Sequence, residues 1–423
     1  MTHKTQRLIF DSLFVFSVFM ASNLPVLFIL LWLLPDVVTL EAIVWVMLAF
    51  AAFWAIKSRM GGGVYRSALA QCRYFFPFIV YSGVSIFWSV YWEISFGRWL
   101  VLIVTTICGI YLGVRYPFRR IVRFLAIFNL FLLAFSGFYA FFYPDIGIMN
   151  YYNIQGAWRG IFWHKNHLGV MAAFSALTCM LETAIAYQSR DKRGMVLWSA
   201  ISLLSILIVV QSDSVAAIMT VIAIFGLLAL GLLWLNFKAR LTRRNYAVLA
   251  ALLGITLVVL FLRLDDIFGL FNRNTSLTGR IPMWNYLFSA YFSQRPFWGY
   301  GFNAFWYIES HQLAVQAAAG YPDPIIIADN GFIDILINTG VVGFLLFLLF
   351  YFDLWRRSLA CAIQARDLND MLPLMVMAFI LLANISWSVL FENENFFMLI
   401  MVALLASFVK SGDGSGAEPP GRD

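Results

Sequence analysis

MVLWSAISLLSILIVVQSDSVAAIMTVIAIFGLLALGLLWL, residues 195–235, decides the fold. It holds two apolar runs, Met195–Val210 and Val215–Leu235, parted only by the polar turn Gln211-Ser212-Asp213-Ser214. A helix crosses the ~30 Å hydrocarbon core of a bilayer with about 20 apolar residues, so the stretch reads as two antiparallel membrane spans. Outward from it the pattern repeats. Apolar runs near Leu8–Leu34, Ala42–Ile56, Tyr74–Tyr91, Trp99–Val114, Ile121–Phe142 and Leu168–Tyr187 precede it. Runs near Tyr246–Leu262, Phe332–Phe352, Met371–Leu390 and Phe396–Val409 follow it. Hydrophobic residues make up 62% of the chain and charged residues 12%, too little polar surface for a soluble protein of 423 residues. The expectation is an all-α polytopic membrane protein with about twelve transmembrane helices. The first run is long and contains Pro25, which allows a tilt, a kink or two short pieces. It is also too long for a cleavable signal peptide and lacks a small-residue cleavage site.

Basic residues orient the spans. Lys57, Arg59, Arg66 and Arg73 fall in one loop, and Arg115, Arg119, Arg120 and Arg123 in another. Arg190, Lys192 and Arg193, then Lys238, Arg240, Arg243 and Arg244, then Arg356, Arg357 and Arg366 fall in alternate loops thereafter. With Lys4, Arg7, Lys410 and Arg422 at the termini, one side of the membrane holds 22 of the 29 basic residues. By the positive-inside rule that side is cytoplasmic, with both termini on it. The net charge of +7 is then a topology signal and gives no reason to expect a nucleic-acid partner. Four cysteines fall in spans or at cytoplasmic edges, so no external disulfide is expected. The division that follows is spans one to nine in 1–262, an external loop in 263–331, spans ten to twelve in 332–409, and a disordered Gly/Pro-rich cytoplasmic tail in 410–423.

Seven basic residues depart from this pattern: Arg98, Arg159, Lys165, Arg263, Arg273, Arg280 and Arg295. Orientation gives the four of the long loop no reason to be outside. Three outer segments concentrate the unusual chemistry. GAWRGIFWHKNHLG, residues 156–169, packs Arg159, His164, Lys165, Asn166 and His167 together, and a helical spacing would put the two histidines on one face. The long loop carries SLTGRIPMWNYL at 276–287 and RPFWGYGFNAFW at 295–306. ADNGFIDILINTGVVG, residues 328–343, opens the tenth span. A guanidinium binds phosphate bidentately and stays charged at any working pH, so Arg159 and Arg280 converging on a diphosphate is a plausible arrangement. Trp158, Trp163, Trp284, Tyr300, Phe302 and Trp306 interleave them, and aromatic faces both stack on sugars and anchor helices at the interface. Bland readings stand beside these. The aromatics suit an interfacial belt, Arg295 a solvated loop, and Arg263 a side chain snorkelling to headgroups. The histidines suit a helix start with Asn166 as its cap, and Asp329 suits the cap of the tenth span. Asp265 and Asp266 read as solvated loop charges, and no metal site or cofactor is expected.

At these residues the chain resembles the bacterial O-antigen ligase and Wzy-type polysaccharide polymerase superfamily, especially its exopolysaccharide polymerase branch. GIFWHKNHLG, QSDSVAAI, TGRIPMW, RPFWGYGFNAFW and DNGFIDILINTGVVG occur in the family's order, with a similar span count and long external loop. The resemblance covers nearly the whole chain. It implies metal-independent glycosyl transfer from a polyprenyl-diphosphate-linked oligosaccharide at the outer face of the bacterial inner membrane. It implies that Arg159 and Arg280 hold the diphosphate, with His164, Lys165, Asn166, His167, Trp284, Tyr300, Asn303, Trp306 and Asn330 as candidate substrate contacts. A chain-length regulator and a flippase are the partner proteins it suggests, besides the lipid bilayer. Two departures stand out. Many ligases have His-Asn where this chain has Asp329-Asn330, so Asp329 either takes the proton of the acceptor hydroxyl or only orients the acceptor. The family's turn often carries Ser-Lys or Ser-Arg, and Ser212-Asp213-Ser214 lacks that basic residue.

A polymerase joining lipid-linked repeats is therefore expected, ahead of a ligase moving finished glycan onto a lipid A core. A transporter or flippase would instead need ionisable residues along a path through the spans, where Asp11 is the main exception to an apolar interior.

Overall fold

The computed structural model describes residues 50, 62–151, 154–237, 280–321, 325–390 and 396–408. The expected first, second and ninth spans, Asp11, Arg263, Asp265, Asp266, Arg273, residues 276–279 and the tail lie outside the described residues, apart from Phe50 within the second span. What is described is a helical bundle. In chain order it comprises α1 (Gly62–Gln71), α2 (Phe76–Val84, extended by a tighter turn to Trp88), α3 (Trp92–Arg115) and α4 (Phe118–Phe142). A two-stranded hairpin follows, β1 (Ile148–Tyr151) and β2 (Ile154–Trp158), then α5 (Lys165–Gln188), α6 (Lys192–Gln211) and α7 (Val215–Phe237). The rest comprises α8 (Arg280–Tyr286), α9 (Glu309–Ala319), α10 (Gly331–Gln364), α11 (Leu372–Ser386) and α12 (Phe396–Ser407). Seven of the described helical segments are long and apolar enough to cross a membrane, and two more are apolar but shorter. The chain is a multi-pass membrane protein. One amendment to an all-α reading is the hairpin, antiparallel with Ile148 opposite Trp158 and Met149 opposite Ala157.

α5 lies at the centre and packs on α4, α6, α7 and α11. Small side chains let these helices approach, since Ala172, Ala173, Ser175 and Ala176 of α5 are all buried. α12 is buried along its whole length against α3. The contact depends on Gly109 and Gly113, one turn apart, where an added Cβ would lie 2.8 Å from the Val402 side chain and 2.1 Å from the Ala403 carbonyl oxygen. α6 faces outward instead. Leu203, Leu204 and Leu207 are exposed, as lipid-facing side chains should be.

α10 runs 34 residues, well beyond the stretch ending at Phe352 that the sequence suggested, and it carries Arg356 and Arg357 on its far end. It is also broken. Gly340 has φ 63°, so Val341 and Val342 cannot donate back along the helix. Their N–H groups bond the Pro296 and Phe297 carbonyls at 2.8 and 3.2 Å. In return, Tyr300 N–H and Gly301 N–H donate to the freed carbonyls of Ile337 and Asn338 at 3.2 and 2.9 Å. The segment 296–301 is thus spliced into the broken helix, and each satisfies the other's orphan backbone groups. Tyr81 of α2 closes the joint by donating its hydroxyl to the Thr339 carbonyl at 2.7 Å. RPFWGYGF and NTGVVG are therefore two halves of one structural device.

Besides Asp353, paired with Arg357 at 2.8 Å towards the far end of α10, two buried carboxylates correct the expectation of a nearly charge-free interior. Glu182 in α5 pairs with Arg123 at 3.0 Å, and Asp334 sits in the first turn of α10, each only 2% exposed. Both are satisfied within the protein, so they do not trace a conduit.

Candidate active site

The start of α5, the turn between α6 and α7, the start of α10 and the end of α11 all lie at one end of the bundle. Arg115, Arg119, Arg120, Arg190, Lys192, Arg193 and Arg366 lie at the other, in or beside the turns that join the far ends of α3 to α4, α5 to α6 and α10 to α11. The candidate residues gather at the first end.

Arg159 follows the hairpin. Its N–H and that of Gly160 both donate to the Gly147 carbonyl at 2.9 Å, which closes the base of the hairpin. The side chain then folds back, Nε donating to the Ile146 carbonyl at 2.6 Å. Arg280 opens α8 and is held the same way, Nε to Asp329 Oδ2 at 3.0 Å. Trp284, one turn on and hence on the same face, donates Nε1 to the Ala328 carbonyl at 2.8 Å. Each arginine therefore spends its Nε on the protein. The terminal amino groups of both find no protein partner among the described residues. A guanidinium tethered at Nε and open along its outer edge is preorganised for a bidentate oxyanion.

His164 lies near enough to feel the charge of both. It is the N-cap of α5, its Nδ1 accepting the Asn166 N–H at 3.1 Å, so His164 takes the place the sequence gave to Asn166 as cap. Its ring stacks on Trp387, centroids 5.2 Å apart and planes 14° from parallel. Burial, then the positive charges of Lys165, His167, Arg280 and Arg159, push its pKa down to about 3. Both arginines thus act on the same ring, although they lie 121 residues apart in sequence. His167 does not share a helix face with His164, which precedes the helix; it is buried against Phe162 with ring centroids 4.6 Å apart.

Lys165 is buried and reaches the turn after α6, its Nζ 2.6 Å from Asp213 Oδ2 and 3.0 Å from the Asp213 carbonyl. The turn that lacks a basic residue of its own is met by one from α5. Asp329 does not cap α10. Asn330 does, its Oδ1 accepting from Phe332 and Ile333 N–H at 3.0 and 3.3 Å while its Nδ2 donates to the Ile385 carbonyl. Asn330, proposed as a substrate contact, is thus occupied at both side-chain ends. Asp329 instead adopts a left-handed φ of 52°, a conformation that Asp and Asn tolerate better than most residues, and this turns its carboxylate to Arg280.

Tyr300 and Trp306 are buried in the loop's own core and not open as stacking platforms. Tyr300 donates its hydroxyl to the Tyr291 carbonyl at 3.0 Å, and Trp306 Nε1 donates to Asp334 Oδ1 at 2.6 Å. Asn303 turns the chain with φ 56°. The residue the sequence reading passed over is Asp334. Its carboxylate accepts from Trp306, from the Ala328 N–H at 3.1 Å and from the Ser388 hydroxyl, so one buried group ties the loop, the start of α10 and the end of α11 together beside Asp329. A lone carboxylate four residues after the cap, at the mouth of an apolar span, was the available signal.

A family model described as O-antigen ligase matches residues 200–348, which include the Asp213 turn, Arg280 and Asp329 but not Arg159 or His164. Over 307 residues the chain is 24% identical to the exopolysaccharide production protein ExoQ of Rhizobium meliloti (strain 1021). The match covers 67% of this chain, and the chain spans 65% of that relative's length. The likeness to the O-antigen ligase and Wzy-type polymerase superfamily holds.

Proposed function

We propose that this protein is an exopolysaccharide polymerase of the bacterial inner membrane. It transfers a growing or single repeat unit from a polyprenyl-diphosphate carrier to the acceptor hydroxyl of another lipid-linked oligosaccharide. The site end faces the periplasm, since the opposite end carries most of the basic residues. The observation that carries the reading is the pair of arginines, each tethered at Nε with its outer edge free. In the reaction the acceptor oxygen bonds the anomeric carbon as the bond from that carbon to the diphosphate breaks. The leaving oxygen takes the electron pair, and Arg159 and Arg280 stabilise the charge that develops on it without a metal. Asp329 holds Arg280 through Oδ2, while its other oxygen, without a described partner, receives the acceptor's proton. The similarity to a protein named for exopolysaccharide production favours polymerisation. The family description favours the second reading, a ligase that moves finished glycan to a lipid A core.

Deleting the gene and extracting the lipid-linked intermediates tests this. Single repeats on the carrier are expected to accumulate. Polymer still attached to the carrier would instead establish the ligase, and unchanged intermediates would rule out both.

A further inference from the structure

We infer that His164 is a catalytic hydrogen-bond donor, with its proton fixed on Nε2 and directed at an oxygen of the leaving diphosphate, and that it never acts as the base. The inference rests on the diphosphate-donor reading above.

The backbone settles the tautomer. Asn166 N–H can only donate, and it donates to His164 Nδ1 at 3.1 Å. Nδ1 must therefore be bare, which leaves the proton of the neutral ring on Nε2. A second proton would have to sit on Nδ1, facing an N–H and the positive end of α5. The ring cannot swing away easily, because Trp387 stacks on one face. The groups that bear on its charge are Lys165 and His167 from α5, Arg159 after β2 and Arg280 from α8, all disfavouring a proton; the carboxylates nearby, Asp213 and Asp329, are paired with Lys165 and Arg280. Such surroundings reject an imidazolium and attract an oxyanion. No described residue accepts from Nε2. The ring thus offers one N–H within the field of two guanidinium groups whose terminal amino groups have no described protein partner.

This arrangement has a chemical consequence. An imidazolium would be a stronger donor, yet it would add another positive charge to a site that already holds Arg159, Lys165 and Arg280. A neutral N–H adds a directed bond without adding charge. The acceptor's proton must then go elsewhere, which leaves it to Asp329.

Two substitutions separate the donor from the cap. His164→Asn places an oxygen near the Nδ1 position, so the cap survives and Nε2–H is lost. His164→Gln places an N–H near Nε2 and loses the cap. Polymer formation by full-length protein in a deletion strain should fall on the order of 10²–10³-fold with Asn and clearly less with Gln, as expected for loss of one preorganised donor. Thermal stability should rank the other way, with Asn near wild type. The same protein, labelled with ¹⁵N-histidine in nanodiscs, should show His164 protonated at Nε2 and bare at Nδ1 throughout pH 5–8. The Nε2 signal should move with undecaprenyl diphosphate and stay with undecaprenol. Wild-type activity in the Asn variant, or a His164 resonance that titrates between pH 5 and 8, would overturn the inference. Should Arg280→Ala bind undecaprenyl diphosphate as tightly as wild type, the diphosphate reading itself fails. Should Arg280 matter while His164 Nε2 stays unmoved, only the His164 role fails.

Discussion

Arg280 and Asp329 are 49 residues apart and meet at 3.0 Å, each little exposed. Arg280→Lys keeps the charge but cannot be tethered at Nε and still present a fork. We expect normal expression and loss of most polymer; wild-type chain length on a gel would refute the role. Asp329→Asn is a mild change for the backbone, since Asn also accepts left-handed φ. It keeps a hydrogen-bond acceptor for Arg280 and removes the proton acceptor. Binding of undecaprenyl diphosphate should survive while turnover falls about 10²–10⁴-fold; near-normal turnover would move the base elsewhere. His311 is a poor substitute, because its ring lies stacked on Phe305, centroids 4.6 Å apart, with Nδ1 3.1 Å from the Phe305 carbonyl. His164 also leaves a mark on stability. Its folded pKa, about 3, lies below the value of about 6.5 in an unfolded chain. Below pH ~6.5 the unfolded state binds more protons, so stability falls as the pH drops toward 3 and is fully present above 6.5. His311, also shifted down, adds to the same trend. The melting temperature should therefore drop from pH 7 to pH 5, and by less in His164→Asn. An equal drop in both proteins would show that His164 contributes nothing to it.

The splice between 296–301 and the break in α10 makes that loop segment part of the long helix. Gly340→Ala tests it. With φ 63° and the Phe297 carbonyl oxygen 2.3 Å from an added Cβ, Ala cannot occupy the break, and a continuous helix would expel the loop. We expect a fall in melting temperature with a loss of activity even though no proposed ligand contact is touched. Full stability and activity would mean that the loop docks by other contacts. Element by element, much of this was legible. The apolar runs placed α4 to α7 within about three residues, because length and hydropathy largely determine a span, while α3 begins at Trp92, seven residues before the expected Trp99. The break at Gly340 was not, because glycine is common in membrane helices and only the partner segment gives this one its φ. Nor was the hairpin, whose few residues carry no periodic signal. Their motifs alone single out Arg159 and Arg280 as candidates, and their joint action on one diphosphate is the proposal above. Their Nε tethers, the cap at Asn330 and the anchoring by Asp334 depend on contacts between distant segments, which sequence spacing does not encode.

Across the whole molecule, charge and chemistry are segregated. The helix ends bearing Arg115, Arg119, Arg190 and Arg193 lie opposite the end bearing Arg159, His164 and Arg280. A membrane protein places its basic ends in the cytoplasm, so the few cations at the other end must be retained for another reason. An anionic lipid-linked donor displayed outside supplies that reason, and the sidedness can be measured. Gln155 is exposed at the tip of the hairpin, and Arg193 is exposed at the start of α6. Cysteine introduced at each, one at a time, should report opposite sides. Cys72, Cys108 and Cys179 are buried and should stay silent, while the partly accessible Cys361 lies near the end of α10 far from the candidate site. In intact spheroplasts a membrane-impermeant maleimide should label Gln155→Cys and leave Arg193→Cys unlabelled until the cells are lysed. Undecaprenyl diphosphate should leave labelling at Arg193→Cys unchanged, since that position is at the far end of α6. The reverse pattern would place the arginine pair in the cytoplasm, where the donor reading fails because the repeat unit would meet the site before crossing the membrane.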